Sequence, residues 1–189
     1  MHRRSLLATA MTLVTCAVAM PVLAQEKPPL KIVVGFPPGG SADLLARLMA
    51  DGLKNDFSQV IVENKPGAGG RIALGQVKRA PADGQTVLLL PSGPMVLFPH
   101  VYKKLDYDAV TDFTPISLLA HFQFSVVAGA GVPVKGVKDM IARAKAEPGK
   151  STYGTPGQGT LPHFMGVMFG QRAGADLTHV PFQGGGPAN

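Results

Sequence analysis

A parallel α/β fold is predicted by three features of the chain. Short β-branched runs suit strands covered on both faces, a glycine-rich loop follows each run, and a helical apolar period follows each loop. Ile32-Val33-Val34 opens this pattern and Phe36-Pro37-Pro38 stops it. Gly39-Gly40 leaves backbone amides unscreened by side chains, and Ser41 is a good N-cap for a helix beginning at Ala42. Leu44/Leu48 and Leu45/Met49 give that helix an apolar stripe at four-residue spacing. The first turn's free N–H groups and the positive helix end then face the glycine loop, which favours a carboxylate or phosphate there. Asp43 would repel such an anion if it pointed inward, so it is expected to cap amides or to pair with Arg47 four residues on.

The design recurs. Val60-Ile61-Val62 reads as a second buried strand, followed by Glu63-Asn-Lys-Pro-Gly-Ala-Gly-Gly70 and a helix from Arg71 to Arg79. Two helix N-termini could therefore face one crevice at the carboxyl ends of neighbouring strands, where open α/β sheets bind ligands. Pro81-Ala82-Asp83-Gly84 turns into a third strand, Thr86 to Leu90. Pro91-Ser92-Gly93-Pro94 after it is either a third site wall, offering the Ser92 hydroxyl, or a plain strand-to-helix turn. His121 to Ala128 is partly alternating, as a strand linking two lobes would be, and the lobe boundary is placed there. Beyond it come a helix from Lys135 to Ala146 with Val137, Ile141 and Ala144 inward, and a brief strand at Ser151–Tyr153. A further glycine loop, Gly154-Thr155-Pro156-Gly157-Gln158-Gly159-Thr160, leads into a helix from Leu161 to Ala173 and a last strand, Thr178 to Phe182. The expected units are residues 25–120 and 121–189.

Ahead of these, His2-Arg3-Arg4, the apolar run Leu6 to Met20 and then Val22-Leu23-Ala24 form a secretory signal cleaved after Ala24. The run is too short for a membrane span, which needs about 20 apolar residues. Arg3-Arg4 is compatible with a twin-arginine signal and Cys16 with a lipoprotein box, but Thr15 fits the box poorly and the ordinary route is preferred. Without residues 1–24 the chain has no cysteine, which excludes disulfides and thiolate metal sites. It then carries 16 basic against 12 acidic residues, about +4. That scattered excess fits small anions better than nucleic acid, which calls for clustered Lys/Arg and interleaved aromatics.

A composition of 46% hydrophobic and 16% charged residues over 189 positions describes one or two globular domains. Each glycine turn alone also reads as an ordinary turn; their repetition after successive strands is what favours an anion cradle. His100, His121, His163 and His179 lack metal-ligand spacing and read as structural or solvated, with His163 best placed to reach a cleft because it begins a helix. Lys135, Lys138 and Lys145 read as a solvated helix face. No catalytic residues, metal or cofactor are expected. Pro148-Gly-Lys-Ser-Thr152 lacks the first P-loop glycine, which would fall at Ala144, and neither a G-x-G-x-x-G after a strand nor a G-x-S-x-G elbow occurs.

Six motifs carry a family resemblance: Phe36-Pro-Pro-Gly-Gly-Ser-Ala-Asp43-Leu-Leu-Ala-Arg47, Val62-Glu-Asn-Lys-Pro-Gly-Ala-Gly-Gly70, Asp112-Phe-Thr-Pro-Ile116, Ala144-Lys-Ala-Glu-Pro-Gly149, Tyr153-Gly-Thr-Pro-Gly-Gln-Gly159 and Val180-Pro-Phe-Gln-Gly184. In order and spacing they resemble the Bug (Bordetella uptake gene) family, the periplasmic receptors of tripartite tricarboxylate transporters. The resemblance implies a two-lobed, Venus-flytrap periplasmic-binding-protein fold that closes on a small carboxylate and passes it to membrane permease subunits. It implies a periplasmic, monomeric protein without enzymatic activity. The ligand-binding positions implied in the first lobe are Phe36, Gly39, Gly40, Ser41 and Asp43, with Ala68, Gly69 and Gly70. Those in the second are Gly154, Thr155, Gly157, Gly159 and Thr160; the residues themselves add Ser92 and His163. Family members run further at the C-terminus, so the fold is expected to be incomplete there, with sheet edges and an apolar face uncovered. Phe182-Gln183 stands where the family more often has Tyr-Lys, which removes a hydroxyl and a cation near the cleft. A receptor for a membrane sensor kinase and a secreted anion-binding enzyme are the alternative readings.

Overall fold

The computed structural model describes residues 27–188. The proposed signal segment lies outside them. The chain forms two parallel sheets, and the first is built around β1 (Leu30–Val34), flanked in parallel by β2 (Val60–Asn64) and β3 (Thr86–Leu89) in the order β2-β1-β3. Ile32 aligns with Val62 on one side and Val87 on the other. The central position explains the burial: Ile32, Val33 and Val34 are all fully inaccessible, as a doubly covered strand requires. Successive strands step first to one side of β1 and then to the other, so right-handed crossovers put the two connecting helices on opposite faces. Helix α1 (Ser41–Leu53) packs on β1 and β2, and α2 (Arg71–Lys78) on β3 and β1. Leu30, Ile32, Val34 and Leu89 form one core face with Ala46. Ala73 and Leu74 of α2 are fully buried on the other side. All three strands end at one rim of the sheet, where the loops into α1, α2 and the short helix α3 (Gly93–Val96) gather; α4 (Phe98–Val101) follows directly.

The second sheet is the parallel pair β4 (Thr152–Thr155) and β5 (Thr178–Pro181). Helix α5 (Val137–Ala146) precedes it, α6 (Leu161–Ala173) connects its strands, and α7 (Gly185–Ala188) closes the described chain. Gly174 ends α6 in the left-handed region at φ 60°, where its N–H and that of Ala175 take up the last helical carbonyls.

Several expectations change. Ser41 lies inside α1 rather than capping it; the cap is Gly40, which offers no side-chain bond. The inward face of α1 is Ala42, Leu45, Ala46, Met49, Ala50 and Leu53, which leaves Leu44 and Leu48 about 60% exposed. Ile61 is also exposed, because β2 is an edge strand with one covered face. Val137, expected inward, is exposed at the start of α5, while Ala144 is buried. No strand forms over 121–128: nothing in the described chain pairs with that segment, and it lies exposed.

Candidate functional site

The two units meet across a cleft of about 480 Å³. On the first-sheet side its wall begins with Gly35, Phe36 and Pro37, where β1 ends, and continues through 67–70 to Arg71 and Tyr102. The opposite wall is Pro156, Gly157 and Gln158 after β4, with Pro181, Phe182 and Gln183 after β5. The walls are in contact. A Cβ on Gly157 would lie 3.9 Å from the Gly69 Cα, and one on Gly69 would lie 3.7 Å from Thr160 Cγ2. Tyr102 directs its hydroxyl toward the Gln158 carbonyl at 3.5 Å.

The turn at 67–70 is unusual in having four consecutive positive φ angles: Gly67 131°, Ala68 49°, Gly69 67° and Gly70 96°. Ala68 bears a Cβ in the left-handed region, a local strain on the order of 1 kcal/mol. A Cβ on Gly35 would come within 3.0 Å of the Gly70 Cα, so only glycine lets the end of β1 pass this turn. Among the described residues no acceptor takes the N–H of Ala68 or Gly69, nor that of Gln158 or Gln183 on the other wall. These amides remain available to an anion.

Arg71 supplies the charge. Its Nε donates to the Ala68 carbonyl at 3.1 Å, and its guanidinium lies 4.3 Å above the Tyr102 ring, within cation–π range. Among the described residues no carboxylate pairs with it, and it is the one charged side chain among those that line the cleft. The sequence singles out Arg71 only as a helix start. Tyr102 carries no signal of a site: its ring meets that of Phe98, four residues earlier on the same helical turn, edge-to-face with centroids 5.0 Å apart, and its approach to the cleft depends on where α4 packs.

Of the residues expected to bind ligand, Phe36, Ala68, Gly69, Gly70 and Gly157 line the cleft. Gly39, Gly40, Ser41 and Asp43 do not. Asp43 is 4% exposed and turned into the protein: its Oδ2 accepts the Gly39 N–H and Arg47 Nε, each at 3.0 Å, and its Oδ1 accepts from Arg47 Nη2 and Asn64 Nδ2. Asn64 Nδ2 also donates to the Phe36 carbonyl at 3.0 Å, which fixes the loop against β2. The Arg47 hydrogen bond leads in holding the Asp43 carboxyl down at about 2. The first glycine loop is thus closed by the protein's own carboxylate.

The remaining positions brace the second wall or lie off it. Thr160 Oγ1 donates to the Gly157 carbonyl at 2.6 Å, and Thr155 Oγ1 donates to the same oxygen at 3.2 Å. Thr155 Oγ1 also lies 2.7 Å from His179 Nε2. His163 does not line the cleft; its Nδ1 accepts the Gly159 N–H at 3.1 Å, and its ring stacks on His179 with centroids 4.0 Å apart. Burial, and then the neighbouring His163, push the His179 pKa below its ordinary value. Gly154 and Ser92 are absent from the wall, and the Ser92 carbonyl accepts the amides that start α3. Among the described residues no group of three or more His, Cys, Asp or Glu is arranged to hold a metal ion.

Two parallel α/β units that face each other across a cleft between their loop rims have the architecture of the periplasmic-binding-protein class. The chain belongs to the family described as "Tripartite tricarboxylate transporter family receptor", which matches residues 45–189. It is 37% identical over 171 residues to the UPF0065 protein in the gbd 5' region of Cupriavidus necator, covering 88% of this chain and 52% of that protein. It is 33% identical over 178 residues to protein BugT of Bordetella pertussis, covering 92% and 55%. Among solved structures it is similar to R. palustris Rpa4515 with adipate, at TM-score 0.74 and 32% identity over 85% of this chain and 54% of that one. Periplasmic binding protein BugD gives TM-score 0.73 and 33% identity, with the same coverage. MatC from Rhodopseudomonas palustris with bound malate gives 0.70 and 28%, over 85% of this chain and 55% of that one. The chain spans about half the length of the curated relatives it matches. The family and these neighbours are receptors and binding proteins, not enzymes.

Proposed function

We propose that this chain is the ligand-capturing part of a periplasmic solute receptor that closes two lobes, 25–120 and 121–189, on a small carboxylate and delivers it to transporter permease subunits. The observation that carries this reading is the convergence, among the described residues, of Arg71 and unpartnered amides from both walls on one cleft that no described acidic residue lines. Adipate and malate in the neighbouring structures support the ligand class. The magnitudes suffice: a hydrogen bond to a charged partner contributes about 1.5–3 kcal/mol, and micromolar affinity needs about 8 kcal/mol. Ligand contacts are assigned to Phe36, Ala68, Gly69, Gly70, Arg71 and Gly157. Asp43, Thr155, Thr160 and His163 hold the loops that carry them.

Gly69→Val tests the assignment. A side chain there would meet Phe98 at 3.0 Å and intrude on the Thr160 contact between the walls. Titration calorimetry should show carboxylate binding by the unaltered chain and its loss in the variant, with Leu44→Ser, exposed on α1 and away from the cleft, leaving it nearly unchanged. Equal affinity in the unaltered chain and Gly69→Val would overturn the site.

A further inference from the structure

Resting on that carboxylate reading, we propose that Tyr102 is a positioning residue, a strap from the first unit onto the second wall, and that Gly159 is the seat that receives it. Among the described residues no ion pair joins the two units, and the Tyr102 hydroxyl, 3.5 Å from the Gln158 carbonyl oxygen, makes the one polar contact between them within hydrogen-bonding distance. The other close approaches fall on glycine: Gly157 meets the 67–70 turn, and a Cβ on Gly184 would lie 2.8 Å from Pro37 Cδ. Gly159 is fitted to the strap. A Cβ there would overlap the Tyr102 hydroxyl oxygen and lie 3.1 Å from Cζ, so the tyrosine reaches its place only over bare backbone. The Gly159 backbone is fixed in turn by the bond from its N–H to His163 Nδ1, 3.1 Å long. In the first unit Tyr102 is anchored: its N–H donates to the Phe98 carbonyl at 3.0 Å, and its ring face lies 4.3 Å below the Arg71 guanidinium. One ring thus touches the second wall at its hydroxyl end and the cleft's cation on its face. An O–H···O bond is best made near about 2.8 Å, so a further closing of less than about 1 Å around a ligand completes the strap. When the walls part, the hydroxyl loses Gln158 and Gly159, and the ring's hold on Arg71 loosens with it. A ligand that favours the closed arrangement draws on this difference between the two states.

The test is a double-mutant cycle on the full chain: Tyr102→Leu, Gly159→Ala and the two together, in proteins whose melting temperature shows them folded. Small-angle X-ray scattering reads the chain without ligand, and titration calorimetry and stopped-flow read its binding of adipate, malate, citrate and benzoate. Without ligand, each single variant should enlarge the radius of gyration, since the walls lose the strap or its seat. Each should weaken the tightest of the four acids at least fivefold, mainly through faster dissociation, because the strap closes over an acid already seated. In the Tyr102→Leu background Gly159→Ala should weaken binding much less than it does alone; the strain of alanine at φ 76° is common to both backgrounds, so the cycle isolates the lost contact. Tyr102→Phe, which keeps the ring on Arg71, should weaken binding less than Tyr102→Leu. Fully additive effects, or unchanged affinity in Tyr102→Leu, would overturn the strap while leaving carboxylate capture standing. Failure of every acid to bind would overturn the carboxylate reading, and scattering then decides the strap by itself: an enlarged radius in both variants upholds it and an unchanged one overturns it.

Discussion

Asp43 is the residue on which the first loop depends. Its carboxylate accepts hydrogen bonds from Gly39, Arg47 and Asn64, so its charged form is stabilised only in the folded chain. With its pKa lowered from 3.8 to about 2, it contributes on the order of 2 kcal/mol above pH 4, and this is lost as pH falls from about 4 toward 2. Asp43→Asn is expected to cost about 2–4 kcal/mol by urea unfolding at pH 7 and to flatten the acid limb of the stability profile, because it leaves Arg47 and the Gly39 amide underbonded. The pairing with Arg47 is legible in the sequence, since residues four apart meet on a helix. Asn64, the other partner, is 21 residues away, and nothing local announces it. The same limit applies to His163: its place at the start of a helix is legible, but its use in holding Gly159 depends on how the loop returns.

At the scale of elements, β1 carries the stability of the first unit. Ile32→Ala, at a fully buried position between two strands, should cost about 2–5 kcal/mol by chemical denaturation. Leu44→Ser, on the exposed side of α1, should change stability by about 0.5 kcal/mol or less. The strands, the loops that follow them and helix α6 are readable from apolar runs and glycine punctuation, because those signals are local. Which of two apolar stripes on α1 turns inward is not: Leu44/Leu48 and Leu45/Met49 have the same spacing, and only the position of the sheet distinguishes them. The 121–128 segment fails as a strand for a related reason. Alternation marks the capacity to pair, and pairing also needs a neighbour.

Across the whole molecule, the second wall links the cleft to pH. The His179 ring is half-buried, stacked on His163 and packed against Tyr153, with the Thr155 hydroxyl at its Nε2. Since its pKa in the folded chain is below the ordinary 6.5, the unfolded chain binds the proton first on acidification. Stability is therefore full above about pH 6.5 and declines as pH falls below it. The melting temperature should drop between pH 7.5 and 5.5, and His179→Gln should reduce that drop; an identical drop in the variant would assign it elsewhere.

The cleft itself is the property least visible in the chain. Arg71, Tyr102, Gln158 and Gln183 are scattered over more than a hundred positions, and two separate sheets must fold before they share a cavity. The most direct measurement of the central claim is thermal unfolding of the chain at pH 7.5 with and without small carboxylates, each paired with its uncharged amide. A ligand that binds only the native state adds about 2.7 kcal/mol at a hundredfold excess over its dissociation constant, or roughly 5–10 °C for a chain of this size. The account predicts one cooperative transition raised by that order by at least one carboxylate and by none of the amides. Melting unchanged by every carboxylate, or raised equally by acid and amide, would contradict it.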